Sequence, residues 1–401
     1  THIGVEDGLC QNTVCCILQD HLGFIWLGTK DGLTRYDGYR FRVFKHDAAD
    51  PMSIGNNFIR VLYEDADGLI WIGTNVGVYI YNPETENFRK FDVATERGDV
   101  ISREVSSIKC DSSGDLWIGV NWQGVFRYDR RDESLELYEP VPGDTTSLSS
   151  VHVWDLCFDG DGNLWVGSQN GGLDRYDRET DRFVRHRLKG LSDVSRIVLD
   201  KQNQLLLGTM KDGLFSFNPY MGTCQPLLLD SGHKDLFVRA IFVRNSREVV
   251  VGTENGIYIY DCVTRKTRHV NQELGNPYSL SCKAVYSIYC DKEGALWIGT
   301  YFGGVNYLPP SSSLIFDKFY PIGHSDRLSG KAVREFVRDE SGIIWIGTED
   351  QGLNRFDPVS GKFTHYNSRN SGLSCDNVHG LCVDGDRLYI GTFFGGFNIM
   401  D

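Results

Sequence analysis

The sequence predicts an all-β chain: a β-propeller of four-stranded antiparallel blades, with a seven-bladed ring followed by two blades of a second propeller. Three observations carry this. A short pattern recurs nine times, its spacing fits one blade, and the chain opens on a strand that lacks its own blade. The copies read IWLGT (25–29), IWIGT (70–74), LWIGV (116–120), LWVGS (164–168), LLLGT (205–209), VVVGT (249–253), LWIGT (296–300), IWIGT (344–348) and LYIGT (388–392). Their central glycines lie 41 to 48 residues apart. A fixed period of that size marks stacked supersecondary units. It leaves room for four short strands with their turns, which is one propeller blade.

Each repeat resolves into strands a to d. In residues 59–92, Ile59 to Glu64 is strand a, and Asp65-Ala66-Asp67-Gly68 is a turn. Leu69 to Thr74 is strand b, Val78 to Tyr81 strand c, and Phe88 to Phe91 strand d. Six repeats carry Trp at one position: Trp26, Trp71, Trp117, Trp165, Trp297 and Trp345. A large flat ring there fills the gap between neighbouring blades, so these are core residues. An Asp-x-x-Gly turn recurs at Asp20, Asp65, Asp111, Asp291 and Asp339. The stretch Asp159-Gly-Asp161-Gly-Asn163 looks like a calcium loop. Position twelve of that frame is Asn170, where a glutamate would be needed, so no metal is expected.

Ring closure follows from the ends of the pattern. Thr1-His2-Ile3 followed by Gly8-Leu9-Cys10 parallels Thr364-His365-Tyr366 followed by Gly372-Leu373-Ser374. The chain therefore begins with an outer strand d, which can complete the seventh blade. After the seventh strand c comes Pro309-Pro310-Ser311-Ser312-Ser313, the most linker-like stretch. The expected division is residues 1–308 as the ring, 309–313 as linker and 314–401 as two blades of a second propeller. An outer strand is expected near Phe316 to Tyr320. A single ring of all nine repeats is the alternative, outside the usual four to eight blades.

Composition narrows the function. Net charge is −13 and no basic stripe is visible, so nucleic acid is not an expected partner. No run of 18 apolar residues is present, so no membrane span is expected in this stretch. Eleven cysteines lack Cys-x-x-Cys spacing, which argues against zinc and for buried thiols. No cofactor is expected. No nucleophile elbow, zinc motif or phosphate loop appears, and no pair of acids stands apart from the turns.

Candidate site residues are exceptions to the repeat. Strands alternate, so b–c and d–a loops share one face. Most b–c loops are small and polar. Three carry aromatics: Asn121-Trp122-Gln123, Tyr301-Phe302-Gly303 and Phe393-Phe394-Gly395. Sugar rings stack on such faces while Asn and Gln bond hydroxyls. The alternative is packing against an adjacent loop or propeller. A second set follows the first Val or Ile of strand a: Cys15, Arg60, Ser106, Trp154, Ser195, Arg239 and Tyr286. A position facing only a neighbouring blade would stay apolar. Arg60, Trp154, Arg239 and Tyr286 are therefore candidates to ring the mouth of the central channel. Two arginines there suit a carboxylated ligand such as a uronic acid. The competing reading pairs them with acids such as Asp155 or Glu64.

The repeated pattern DxxGxxWxGTxxGLxxYD, best seen in Asp20–Asp37, Asp65–Tyr81 and Asp339–Asp357, resembles the regulator-propeller repeat of bacterial hybrid two-component sensors. The opening Glu6 to Val14 and the phrase Gly32 to Gly38 resemble the start of their sensor region. Repeats five and six depart from the pattern, losing Trp and the turn at Asp200–Asn203 and Arg244–Arg247. The resemblance implies the periplasmic sensor region of a Bacteroidetes protein. Such a region binds an oligosaccharide released from a glycan, is homodimeric in the intact sensor, and has its histidine kinase outside this chain. A protein-interaction scaffold and a glycan-active propeller enzyme are the other classes open.

Overall fold

The computed structural model describes residues 1–188, 191–227, 236–273, 276, 278–310 and 327–401. Residues 311–313 of the expected linker, and the outer strand expected near Phe316 to Tyr320, lie outside these. The chain forms two compact units, Thr1–Glu273 with Pro277–Ser311, and Leu274–Asn276 with Ser312–Asp401.

The first unit holds seven four-stranded antiparallel sheets. Their innermost strands are Val14–Gln19, Ile59–Glu64, Val105–Cys110, Val153–Phe158, Arg196–Leu199, Val238–Val243 and Val285–Cys290. Each lies against the innermost strand of the next sheet, and the seventh lies against the first. The outer strand of blade 7 is His2–Ile3, with His2 opposite Asn306 and Ile3 opposite Val305. This is a seven-bladed propeller closed by the start of the chain. The second unit holds a four-stranded sheet ending at Lys362–Tyr366 and the three strands Val378–Asp384, Arg387–Thr392 and Gly396–Met400. These are two further blades of the same antiparallel pattern, in a unit of their own.

The central glycine of each repeat is dictated by the neighbouring blade. A Cβ on Gly73 would sit 2.6 Å from Val105 Cγ1, and one on Gly252 2.7 Å from Val285 Cγ1. The Val or Ile that opens an inner strand thus packs onto the previous blade's glycine, and in blade 5 Val194, just before the strand, takes that place against Gly167. At the closing seam, a Cβ on Gly299 would meet the Val14 carbonyl oxygen at 2.8 Å.

The aspartate turn and the tryptophan are one device. In blade 1 the two oxygens of Asp20 accept from the Phe24 backbone N–H at 2.9 Å and from Trp26 Nε1 at 2.8 Å. The same pair recurs as Asp65–Trp71 (2.7 Å), Asp111–Trp117 (3.1 Å), Asp159–Trp165 (2.8 Å), Asp291–Trp297 (2.8 Å) and Asp339–Trp345 (2.9 Å). A buried indole N–H needs such an acceptor. Blade 5 lacks the Trp but keeps the turn: Asp200 Oδ1 accepts from the Gln204 N–H at 2.8 Å, and Asn203 takes the left-handed φ of 60° that glycine holds elsewhere. Asp159, the calcium-like position, spends its carboxylate on Trp165 and on the side chain and backbone of Asn163.

Candidate functional site at the channel mouth

The inner strand explains which side chains reach the channel. In blades 1, 2, 3, 4, 6 and 7 the a–b register slips after the first residue, leaving one residue unpaired. Those residues are Cys15, Arg60, Ser106, Trp154, Arg239 and Tyr286. A bulge re-aims the side chain it carries. All six line one cavity of about 590 Å³, counting its solvent-open part. Val14 pairs with Thr29, so the start of strand a and the b–c loop share an end of the blade. Within the first unit both sets of candidates therefore lie on one face. Asn121, from the blade 3 loop, lines the same cavity.

The two expected arginines are already held. Arg60 donates from Nε to Asn75 Oδ1 at 2.8 Å and pairs with Glu104 at 2.9 Å, its guanidinium 4.3 Å above the Phe58 ring. Arg239 pairs with Glu254 at 2.6 Å, 3.8 Å above Phe237 and 4.6 Å above Tyr286. The acids differ from those expected. Asp155 accepts from Ser107 Oγ and from the Leu156 and Ile197 backbone N–H groups. Glu64 binds His21.

Arg196 was not among the candidates, and it lines the cavity. It sits opposite Gly208, where other blades place Cys16, Val61, Ser107, Asp155, Ala240 or Ser287. A long cation among small, apolar and acidic residues was the available signal; Ser195, one position earlier, stood in its place. Its Nε donates to the Arg239 carbonyl at 2.7 Å and its Nη1 to the Ser195 carbonyl at 3.1 Å. No carboxylate among the described residues pairs with it. Burial pushes this guanidinium below its usual value, with Asp155 opposing.

Trp154 is half-buried, its ring 6.1 Å from Phe237, and its indole nitrogen is buried without an acceptor among the described residues. Burial pushes the neighbouring Cys15 thiol up to about 11, the arginines opposing, so it stays a thiol at neutral pH and is no ready nucleophile.

The loop aromatics divide. Tyr301 is half-buried, 5.1 Å from Tyr286, and its hydroxyl accepts from Lys30 Nζ at 3.1 Å. Phe302 packs on it at 4.2 Å and remains 68 % exposed. Trp122 is 66 % exposed, at a left-handed φ of 70°, edge-on to His152 at 4.1 Å. Gln123 is spent on its own blade: its amide accepts from the Ser102 N–H and donates to the Val100 carbonyl. Phe393 and Phe394 belong to the second unit, where Phe393 stacks on His379. Seven inner strands and the Asn121 loop of blade 3 thus frame a pocket that offers cations and aromatic faces, beside one buried indole N–H without an acceptor among the described residues.

Comparison with known proteins agrees with the repeat. The family described as "Two component regulator propeller" matches residues 8–31, 53–76, 147–170 and 279–302. A segment of 48 residues, 12 % of this chain and 4 % of the relative, is 44 % identical to histidine kinase P4 of Formosa agariphila. Among solved structures, the extracellular domain of the putative hybrid two component system BT3049 from B. thetaiotaomicron is similar over 100 % of this chain, with 28 % identity and a TM-score of 0.82. This chain spans 53 % of that domain, about half its length. The extracellular domain of the BT4673 system of the same organism shares the fold, at 20 % identity and a TM-score of 0.67. Among the described residues no helix is long and apolar enough to cross a membrane. The five repeats outside the matched segments carry the same strand-b glycine, so the likeness to the two-component regulator propeller runs along the whole chain.

Proposed function

We propose that this chain is the ligand-sensing part of the extracytoplasmic region of a hybrid two-component sensor. Its ligand is a glycan-derived oligosaccharide, held on the loop face of the first propeller, and the intact protein acts as a periplasmic homodimer that controls polysaccharide-utilisation genes. The single observation behind the ligand class is the channel mouth. Aromatic faces at Trp154 and Tyr286 stand beside guanidinium and amide donors in one pocket, with the Tyr301 ring 5.1 Å from Tyr286. Sugars present apolar C–H faces and hydroxyls together, and this combination matches them. The location is that of the similar extracellular domains. A second reading, a docking scaffold, is favoured only by the exposed rings of Trp122 and Phe302 on the same face.

Calorimetry against a panel of neutral and acidic plant and host oligosaccharides tests this. The expected result is saturable binding by one panel member, weakened about tenfold or more in Trp154→Ala, since stacking and its excluded water contribute roughly 1–3 kcal/mol. Heat at constant power would mean turnover. Silence across the panel, with concentration-dependent self-association lost in Trp122→Ser, would favour the scaffold.

A further inference from the structure

We propose that Arg196 and the Trp154 indole N–H form a seat for one oxyanion, a carboxylate or sulfate substituent of the ligand, in the channel mouth. The ligand being a sugar rests on the reading above; the seat itself does not. Three guanidinium groups face this cavity, and two are accounted for by Glu104 and Glu254. Their planes are pinned on Phe58, Phe237 and Tyr286. Arg196 is different. It is fixed by two backbone carbonyls, which neutralise no charge and leave three of its five N–H donors. Asp155, the acid that biases it, has its two oxygens turned to Ser107 and to backbone N–H groups.

Trp154 supplies an independent sign. A buried indole N–H without an acceptor is a debt of desolvation that native proteins rarely leave open. Six other tryptophans in this chain give theirs to an aspartate. The one lining the cavity does not. An oxyanion accepts from both groups at once, and charge-assisted bonds of this kind are the strong ones. The three arginines Arg60, Arg196 and Arg239 are matched in number by Glu104, Glu254 and Asp155, so no excess of positive charge gathers at the mouth. The seat therefore takes a single anionic substituent and not a polyanion.

The test is NMR of the indole N–H signals in chain labelled with 15N-tryptophan, with the Trp154 signal assigned through Trp154→Phe. The probes are sodium sulfate, sodium glucuronate and glucose, at ionic strength balanced with chloride. Sulfate or glucuronate moves the Trp154 signal downfield and saturably, glucose does not, and the tighter of the two anions names the substituent. Arg196→Met weakens the response about 10- to 100-fold, the worth of a hydrogen bond to a charged group. Arg196→Lys, which keeps the charge but not the fork, retains part of it and serves where Arg196→Met does not fold. A Trp154 signal that ignores both anions, or responds equally in the Arg196 variants, overturns the proposal. An anion response with a silent oligosaccharide panel keeps the seat and removes the glycan. An oligosaccharide that binds equally to wild type and Arg196→Met keeps the glycan and removes the seat.

Discussion

Gly299→Val destabilises the first propeller by about 3 kcal/mol or more, while Gly391→Ala leaves the stability of its unit within about 0.5 kcal/mol. Both glycines stand at the same place in an IGT phrase on strand b. Their surroundings differ. Gly299 is the seam of the ring: a Cβ there meets the Val14 carbonyl oxygen at 2.8 Å and Val14 Cγ1 at 2.9 Å. The backbone oxygen cannot rotate away, so blade 1 must move off blade 7. The same movement strains the pairing of His2 and Ile3 with blade 7, since strand and seam are joined within fourteen residues. At Gly391 the nearest atoms among the described residues are those of the Gly380 backbone, at 3.8 Å or more. Urea melts of the two variants, with Gly299→Ala as an intermediate step, check this. A Gly299→Val midpoint equal to wild type would mean that the ring is not closed at this seam.

Much of this architecture was legible because a propeller repeats its own constraints. Ile59–Glu64 was placed from the sequence with the bounds the structure gives. Strand b began one residue later, at Ile70, and strand d one earlier, at Asn87. Turn residues and β-branched runs mark such edges locally. The tryptophan positions were legible for the same reason. Their bond to the aspartate six residues before was not, because it joins two parts of a motif that each had a sufficient local explanation.

The channel mouth was half legible. The position after the first Val or Ile was visible as the variable one. What makes it special is the bulge, and a register slip leaves no sequence signature when the bulged residue is Cys, Arg, Trp or Tyr. Blade 5 shows the consequence. Its strand begins at Arg196, so the charge that faces the cavity lies one residue beyond the position that the other blades indicate. The partners of Arg60 and Arg239 were beyond reach for a different reason. Glu104 and Glu254 are brought to them by neighbouring loops, 44 and 15 residues away.

A further regularity links the entry loop of a blade to its strand c, and Asp174 breaks it. Asn306 accepts from the Ser281 N–H at 2.9 Å and donates to Ser281 Oγ at 2.8 Å. Asn398 with Ser374 repeats the arrangement, and Asn354 accepts from both the N–H and the Oγ of Ser329. In blade 4 the position holds Asp174, fully buried, which accepts from the Ser149 N–H at 2.9 Å and from Ser149 Oγ at 2.6 Å. Its other oxygen is buried without a partner among the described residues. Burial pushes this carboxyl up to about 6, the Ser149 bonds opposing. In the unfolded chain an aspartate titrates near 3.9. Below about pH 4 it is protonated in both states and its burial carries no ionisation penalty. Between pH 4 and 6 the unfolded chain gives up this proton while the folded chain keeps it, so stability falls as pH rises and levels off above about 6. Asp174→Asn removes the penalty and fits the bonding that blades 7, 8 and 9 already use. The variant is expected to exceed wild type by about 2 kcal/mol at pH 7.5, bounded near 3 by roughly two units at 1.4 kcal/mol each. The gain shrinks towards zero at pH 4. Urea melts at both pH values measure it. A gain independent of pH would assign the effect to the hydrogen-bond geometry instead of the ionisation. A loss at pH 7.5 would show that the carboxylate is stabilised by a partner other than Ser149.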